Sequence, residues 1–273
     1  GGTSSSRVTD VNGDGLHDIA RRDLSASNHW KLRLHAGVWP DLLDRATDGF
    51  GNFIDFNYAP LTDSAVYSKQ TGASYPEIDY AGPFYVVNQH SASNGIGGSY
   101  TVSHLYHGAR RDLHGRGFEG FLWRYISDNR NGVYQYDYFR PEFPFTGVIS
   151  RSDVFQPSGT LARQIVNTWN AHTYENGYVS RHLPFLEHSV AYDYEVGGTY
   201  NGVHKRTTSV SNAVDGTTGT LYDSTIIVTE PASANGIQPG ASYTHRIYHS
   251  SLANDFGNWC FGRPQVTQAI YSH

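Results

Sequence analysis

The feature that most constrains this chain is a series of short segments in which apolar and polar residues alternate, separated by turn residues. Segments 30–35 and 53–58 alternate in this way, and a period of two residues indicates a strand with one buried face. Turn pairs such as Asn131-Gly132 and Asp215-Gly216 are typical of hairpins. Further strand candidates follow at close spacing: 84–89, 100–108, 120–128, 132–139, 147–155, 161–173, 186–195, 205–214, 224–229, 243–249 and 265–271. The sequence therefore predicts an all-β fold built of antiparallel, hairpin-rich sheets.

Composition supports strands and argues against several classes of protein. Gly (29 residues), Tyr (20) and Phe (13) are frequent, whereas long windows rich in Ala, Leu, Glu and Lys are missing. The formal net charge is −5 without a basic stripe, which argues against a nucleic-acid partner. No apolar run approaches the roughly 20 residues of a membrane span. A single cysteine, Cys260, excludes an intrachain disulfide. Because methionine is absent, we expect an internal piece of a longer polypeptide.

One loop carries a pattern of oxygen-bearing side chains that indicates a bound cation. Asp10, Asn12, Asp14 and Asp18 occupy positions 1, 3, 5 and 9 of the segment DVNGDGLHD, and Leu16 would add its backbone carbonyl. Calcium takes six to eight oxygen ligands at about 2.3–2.6 Å, which such a loop can supply. We expect calcium to stabilise this loop rather than to take part in chemistry. The alternative is a polar turn without metal.

Residues that often catalyse reactions do not combine into a recognisable motif. His104 and His107 are three positions apart on a predicted strand, so their side chains would point to opposite faces. Cys260 has no obvious pair of His and Asn residues that would activate it as a nucleophile. Two pairs of alternate carboxylates occur, which we interpret as solvated sheet faces: Glu77 with Asp79, and Asp193 with Glu195. The sequence therefore predicts a protein that is not an enzyme.

Tyrosines recur at alternate positions, at Tyr134, Tyr136 and Tyr138. Alternate residues of a strand share one face, so these rings would pack together across the sheet. An exposed row of aromatic rings could also bind a sugar. A calcium-dependent carbohydrate-binding or cell-surface-binding β module, with Trp30 as a further contact, is therefore the alternative to a structural role.

Several stretches resemble the B component of bacterial Tc toxin complexes and related RHS-repeat proteins. Residues 108–121 (GARRDLHGRGFEGF) are similar to a Gly-Arg-Phe-rich segment of that family, with Glu119 at a position where an apolar residue is usual. Residues 143–147 (FPFTG) and 255–264 (DFGNWCFGRP) resemble two further motifs, the second of which leads into the RHS (YD) repeats. Residues 48–67 are similar to the region that follows the family's β-propeller. The motifs occur in the family's order.

The resemblance implies a domain organisation and a function. Residues 1–40 would be the end of an FG-GAP/VCBS-type propeller with the calcium loop, and residues 41–273 an early part of the RHS-type shell. In that family the shell encloses a toxic C-terminal polypeptide, and the propeller docks to a translocation partner protein. We therefore expect a non-catalytic fragment of a large bacterial protein that is secreted or displayed on the cell surface. Its main partner would be the rest of the same polypeptide.

Overall fold

The structure, a computed structural model, describes residues 5–23, 29–37, 41–175, 177, 180–231, 241–255, 257 and 260–272. Within these ranges every regular element is a β-strand, and all but one of the described strand pairs are antiparallel. The predicted all-β class is therefore confirmed. Across the same ranges, the structure contains no helix of the length and apolar character that would let it cross a membrane.

Twenty strands follow one another along the described chain. They are β1 (Ser6–Thr9), β2 (Asp18–Asp23), β3 (His29–Arg33), β4 (Arg45–Thr47), β5 (Phe53–Pro60), β6 (Tyr67–Ser68), β7 (Glu77–Asp79), β8 (Tyr85–Ser93), β9 (Ser99–His107), β10 (Arg110–Asp112), β11 (Gly117–Gly120), β12 (Trp123–Asp128), β13 (Tyr134–Arg140), β14 (Val148–Phe155), β15 (Leu161–Glu175), β16 (Ser180–Tyr194), β17 (His204–Val214), β18 (Leu221–Glu230), β19 (Ala241–Asp255) and β20 (Cys260–Ser272).

The chain divides into two compact units, Gly1–Asn131 and Gly132–His273. In the first unit, β1, β2 and β3 form a separate three-stranded antiparallel sheet. A second sheet has the order β12-β9-β8-β5-β4, with the two-residue β6 parallel to β9. A third, small sheet has the order β11-β10-β7. The predicted domain boundary between residues 40 and 41 stays a prediction.

The core of the first unit is small and lies between its second and third sheets. Six buried residues form it, and four partly buried aromatic rings pack around them: Ala59, Leu61, Val66, Tyr67, Val86 and Ala109, with Tyr80, Tyr106, Phe118 and Phe121. Leu61 is 1% exposed and Ala109 is fully buried. Apolar burial of this kind contributes about 25 cal/mol per Å², so this cluster stabilises the unit by excluding its apolar surface from water.

A bulge in β11 brings two aromatic rings of this core together. Regular strand geometry would place Phe118 and Phe121 on opposite faces, but their rings meet edge to face at 5.4 Å between centroids. The cause is a bulge: Arg110 pairs with Gly120 and Arg111 with Phe118, which leaves Glu119 as an extra residue on β11. Gly120 has φ +89°, a conformation that a side chain disfavours.

The second unit is an antiparallel meander in which strand order equals chain order, from β13 to β20. Its longest pairing joins β15 to β16 from Arg163–Asp193 to Glu175–Ser180, with one register shift. Most of its side chains are half-buried or exposed. Of the described apolar residues here, only Ala191 and Val228 are buried. This unit is therefore a wide sheet with little apolar core of its own.

Candidate functional site

The loop between β1 and β2 is organised by the carboxylate of Asp10. One oxygen accepts the backbone N–H groups of Gly13 at 2.7 Å and Asp14 at 3.1 Å, and the other accepts that of Gly15 at 2.8 Å. Gly13 and Gly15 both have positive φ, at 75° and 81°. The two glycines therefore let the chain curl around the Asp10 side chain, as the sequence spacing predicts.

Asp18 closes the loop from its other end. Its side chain is fully buried, with one oxygen accepting the N–H of Val11 at 2.8 Å and the other accepting the N–H of His35 at 2.7 Å. The hydrogen bond from His35 is the main cause that lowers the pKa of Asp18 below its usual range, and the bond from Val11 is the next. Burial acts in the opposite direction. Asp18 therefore remains ionised and ties the loop to the chain beyond β3.

Asn12 and Asp14 form the outer rim of the loop. The Asn12 amide donates to Asp14 Oδ2 at 2.8 Å, and Asp14 Oδ1 accepts the N–H of Leu16 at 2.8 Å. The Leu16 side chain is buried. The structure therefore brings Asp10, Asn12, Asp14, Leu16 and Asp18 into one nine-residue loop.

The donor set of this loop suits a hard cation in its chemistry. Three carboxylates and one amide oxygen occupy the loop, and a carboxylate oxygen that accepts one hydrogen bond keeps a further lone pair. As it stands, however, the oxygens of Asp10 and Asp18 face backbone N–H groups. In the described part of the chain, no group of three or more His, Cys, Asp or Glu residues is arranged to hold a metal ion. The calcium site therefore stays a prediction.

The loop is anchored to the rest of the first unit by two residues that sequence spacing did not indicate. Thr62 donates from its hydroxyl to the carbonyl of Gly13 at 3.0 Å, and Tyr85 donates to the carbonyl of Asp14 at 2.7 Å. Burial raises the pKa of Tyr85, and the nearby charges of Asp14 and Asp10 add to the effect. Thr62 follows Gly13 by 49 positions and Tyr85 follows Asp14 by 71 positions. No local sequence motif can indicate contacts over such separations.

The remaining candidates whose side chains the structure describes do not come together in a catalytic arrangement. His104 lies 3.0 Å from His90, whereas His107 lies 2.7 Å from the hydroxyl of Ser68, so the two histidines diverge as predicted. Three of the four alternate carboxylates are engaged in ion pairs: Asp79 with Arg110, Asp193 with Arg206 and Arg163, and Glu195 with Lys205. The side chain of Asp79 is only 11% exposed, so the interpretation as a solvated sheet face is wrong for this residue. The side chain of Cys260 and the whole of Trp259 lie outside the described residues.

The alternate tyrosines share one face of β13, as expected. Ring centroids are 6.2 Å apart for Tyr134 and Tyr136 and 6.4 Å for Tyr136 and Tyr138, and Tyr134 stacks on Phe155 at 5.1 Å. All four rings are half-buried. Sheet packing accounts for this arrangement, and glycan binding stays a prediction.

A buried cluster of charged side chains in the small sheet was not predicted. Arg110, Asp112 and Glu119 are 8%, 4% and 3% exposed, and Arg110 pairs with Asp79 at 3.3 Å. Asp112 accepts the N–H groups of His114 at 2.8 Å and Arg116 at 3.2 Å, which closes the turn between β10 and β11. The GARRDLHGRGFEGF segment is therefore built around buried charges as well as aromatic rings.

Comparison with known proteins identifies the family. A family model described as "Insecticide toxin TcdB middle/N-terminal region" matches residues 3–140, about half of the chain. The chain therefore belongs to this family of Tc toxin B components, and the resemblance drawn from its motifs is confirmed.

The fold is also similar to a solved structure described as TcdB2-TccC3-Cdc42, with a TM-score of 0.70 and 12% sequence identity. At that identity the likeness shows the fold alone. The match covers 98% of this chain and 17% of the solved chain. No curated protein matches.

Proposed function

We propose that this chain is a non-catalytic structural segment of a large secreted bacterial protein of the RHS and Tc toxin type. It would act as scaffold or shell for a toxic C-terminal region. The observation that carries the proposal is the meander of β13 to β20 in a member of this toxin family. A sheet whose strands pair in chain order can be lengthened hairpin by hairpin without rearrangement. Such a sheet suits the wall of an enclosure better than it suits a catalytic cleft.

The charges of the second unit support a passive role. Arg206 donates to Asp193 through two nitrogens at 3.1 and 3.0 Å, and Arg246 pairs with Asp223 in the same manner. Side-chain hydrogen bonds from Arg246 lower the pKa of Asp223, so this carboxylate stays ionised. A general acid needs a raised carboxyl pKa instead. The rest of the same polypeptide is the expected partner, and residues 1–40 would face a translocation partner protein.

Limited proteolysis of the whole polypeptide tests the shell role. Val228 is 7% exposed and its neighbour Ile227 is 38% exposed, so the two form a matched pair on adjacent positions of β18. Val228→Asp would bury an unpaired carboxylate, which is strongly unfavourable, whereas Ile227→Asp leaves the charge near water. We expect the C-terminal region to become sensitive to trypsin in Val228→Asp and to stay protected in Ile227→Asp and wild type. If the C-terminal region stayed equally protected in all three proteins, while trypsin cut Val228→Asp only at Arg206 and Arg246 on the neighbouring strands, the shell role would be contradicted.

We also propose that the loop of Asp10, Asn12, Asp14, Leu16 and Asp18 takes calcium as a structural ion. Support comes from the oxygen-only donor set and the glycine turns described above. Calorimetry of the chain in calcium and in chelator should show a higher melting temperature with calcium in the wild type, and no difference in Asp14→Ala.

Asp48→Ala is the matched control for the calcium experiment. Asp48 also organises a turn by accepting backbone N–H groups, from Phe50 at 2.9 Å and Asn52 at 2.8 Å, but it lies outside the loop. This variant should lose stability equally with and without calcium. Identical melting curves for the wild type in calcium and chelator would remove the metal assignment and leave the hydrogen-bonded turn.

A further inference from the structure

Two histidines on neighbouring strands of the first unit meet by their ring edges. His90 on β8 and His104 on β9 have Nδ1 and Nε2 3.0 Å apart, while their ring centroids are 5.2 Å apart and the ring planes differ by 25°. Because the nitrogens are much closer than the ring centres and the rings are nearly coplanar, the two nitrogens point at each other. This is the geometry of an N–H···N hydrogen bond between strands.

Such a bond accommodates one proton only. A neutral imidazole has one nitrogen that donates and one that accepts, so one ring donates to the other. If both facing nitrogens carried protons, two N–H groups would oppose each other across 3.0 Å, and the rings would have to separate. The other ring nitrogen of His104, Nδ1, is buried, and within the described structure it has no hydrogen-bond partner. A charge on His104 would therefore gain no compensating contact there.

The surroundings of the pair disfavour positive charge on balance. On β5, Phe56 lies directly opposite His90, with its ring centroid 6.5 Å away. On β12, Ile126 lies opposite His104, and Arg124 repels a charge on that ring. Asp128, also on β12, attracts a charge on His90, but both of its oxygens accept hydrogen bonds from Arg130.

Burial adds to these effects. It is the largest cause that lowers the pKa of both histidines, and for His104 the pKa falls from 6.5 to about 4. For His104 the charge of His90 is the next cause, followed by that of Arg124. The hydrogen-bonded neutral pair is thus the form that the folded sheet favours at neutral pH.

We propose that the His90–His104 pair is an acid-sensitive latch that holds the β8–β9 hairpin in the sheet and releases it when both rings are protonated. In the unfolded chain the His104 imidazole has its ordinary pKa of 6.5, whereas in the folded chain its pKa is about 4. The latch therefore contributes its full stability above pH 6.5, and this stability is lost as the pH falls toward 4. This device is independent of the shell role and of calcium.

Nuclear magnetic resonance titration of the imidazole nitrogens in the whole chain tests the first step. We expect the His104 ring to stay neutral through pH 5.5 and to titrate near 4. A titration midpoint of His104 near 6.5 would overturn the proposal. This measurement needs no substitution, so it decides the question even where a variant does not fold.

Chemical denaturation at pH 8 and pH 5 tests the second step. As the pH falls from 8 to 5, the unfolded chain binds a proton at His104 that the folded chain does not bind. This proton linkage alone lowers the folding equilibrium constant of the wild type by about 10- to 30-fold. His104→Gln should lack this part of the loss. His107→Gln is the control, because His107 lies on the same strand but contacts Ser68 and stacks on Trp123. It should keep the wild-type pH dependence. An equal loss in wild type and His104→Gln would overturn the latch.

Discussion

The hydroxyl of Tyr67 offers a direct test of how the first unit is held together. It donates to the carbonyl of Tyr80 at 2.6 Å and accepts the N–H of Ala109 at 3.0 Å. Tyr67 is 5% exposed and Ala109 is fully buried. Tyr80 and Ala109 are also joined directly, by a backbone hydrogen bond of 2.9 Å. One hydroxyl therefore satisfies the buried N–H of Ala109 and the partly buried carbonyl of Tyr80, where the small sheet meets the core.

Replacing Tyr67 with Phe keeps the ring and removes only this hydroxyl. The Ala109 N–H loses its acceptor, and the Tyr80 carbonyl loses one donor. A buried polar group left unsatisfied costs about 1–3 kcal/mol, so we expect Tyr67→Phe to lower the free energy of unfolding of the first unit by about 2–4 kcal/mol. Tyr58→Phe is the matched control, because the Tyr58 hydroxyl donates to the carbonyl of Leu43 at 3.0 Å in an exposed position. Its loss should cost less than about 0.5 kcal/mol.

Native-state hydrogen exchange measured by mass spectrometry reads these changes locally. Peptides that contain the amides of Tyr80 and Ala109 should exchange about 30-fold faster or more in Tyr67→Phe, since 1.4 kcal/mol corresponds to a factor of about ten. In Tyr58→Phe the same peptides should exchange at nearly the wild-type rate. Equal exchange in the two variants would refute the reasoning that the Tyr67 hydroxyl bridges the core and the small sheet.

Two further substitutions test the core and the loop. Leu61→Ala, at a position 1% exposed, should cost about 2–5 kcal/mol in chemical denaturation, whereas Leu43→Ala, at a position 57% exposed, should cost less than about 0.5 kcal/mol. Gly13→Ala places a Cβ 2.8 Å from Thr62 Cγ2 at φ +75°, whereas Gly51→Ala at φ +82° meets open space. Both should lose about 1–2 kcal/mol to backbone strain in thermal unfolding, and Gly13→Ala should lose more. Equal losses would argue against the contact with Thr62.

Much of the strand structure follows from local sequence pattern. Segment 53–58 alternates apolar and polar residues and lies within β5, so this strand was predictable. Of the long strands, β15 was predicted almost whole, as 161–173, whereas β16 was predicted only from residue 186 onward. The two- and three-residue strands β4, β6 and β10 were not predicted, because a segment of so few residues shows no alternation of apolar and polar side chains. Their pairing is set by the strands beside which they lie.

The candidate loop was predictable in the same way, and its surroundings were not. The spacing of Asp10 to Asp18 indicates a tight loop because the contacts are local. The partners Thr62, Tyr85 and His35 come from distant parts of the chain, and their residue types alone give no signal. The His90–His104 pair was missed for a related reason: it depends on the register of β8 with β9, which a single strand pattern does not fix.

Cryo-electron microscopy of the entire polypeptide that contains this chain would examine the central claim most directly. We predict that β13 to β20 form consecutive strands in the wall of a closed shell, with density for the C-terminal region inside it. A map in which residues 132–272 stand apart as a separate lobe, with nothing enclosed, would contradict it.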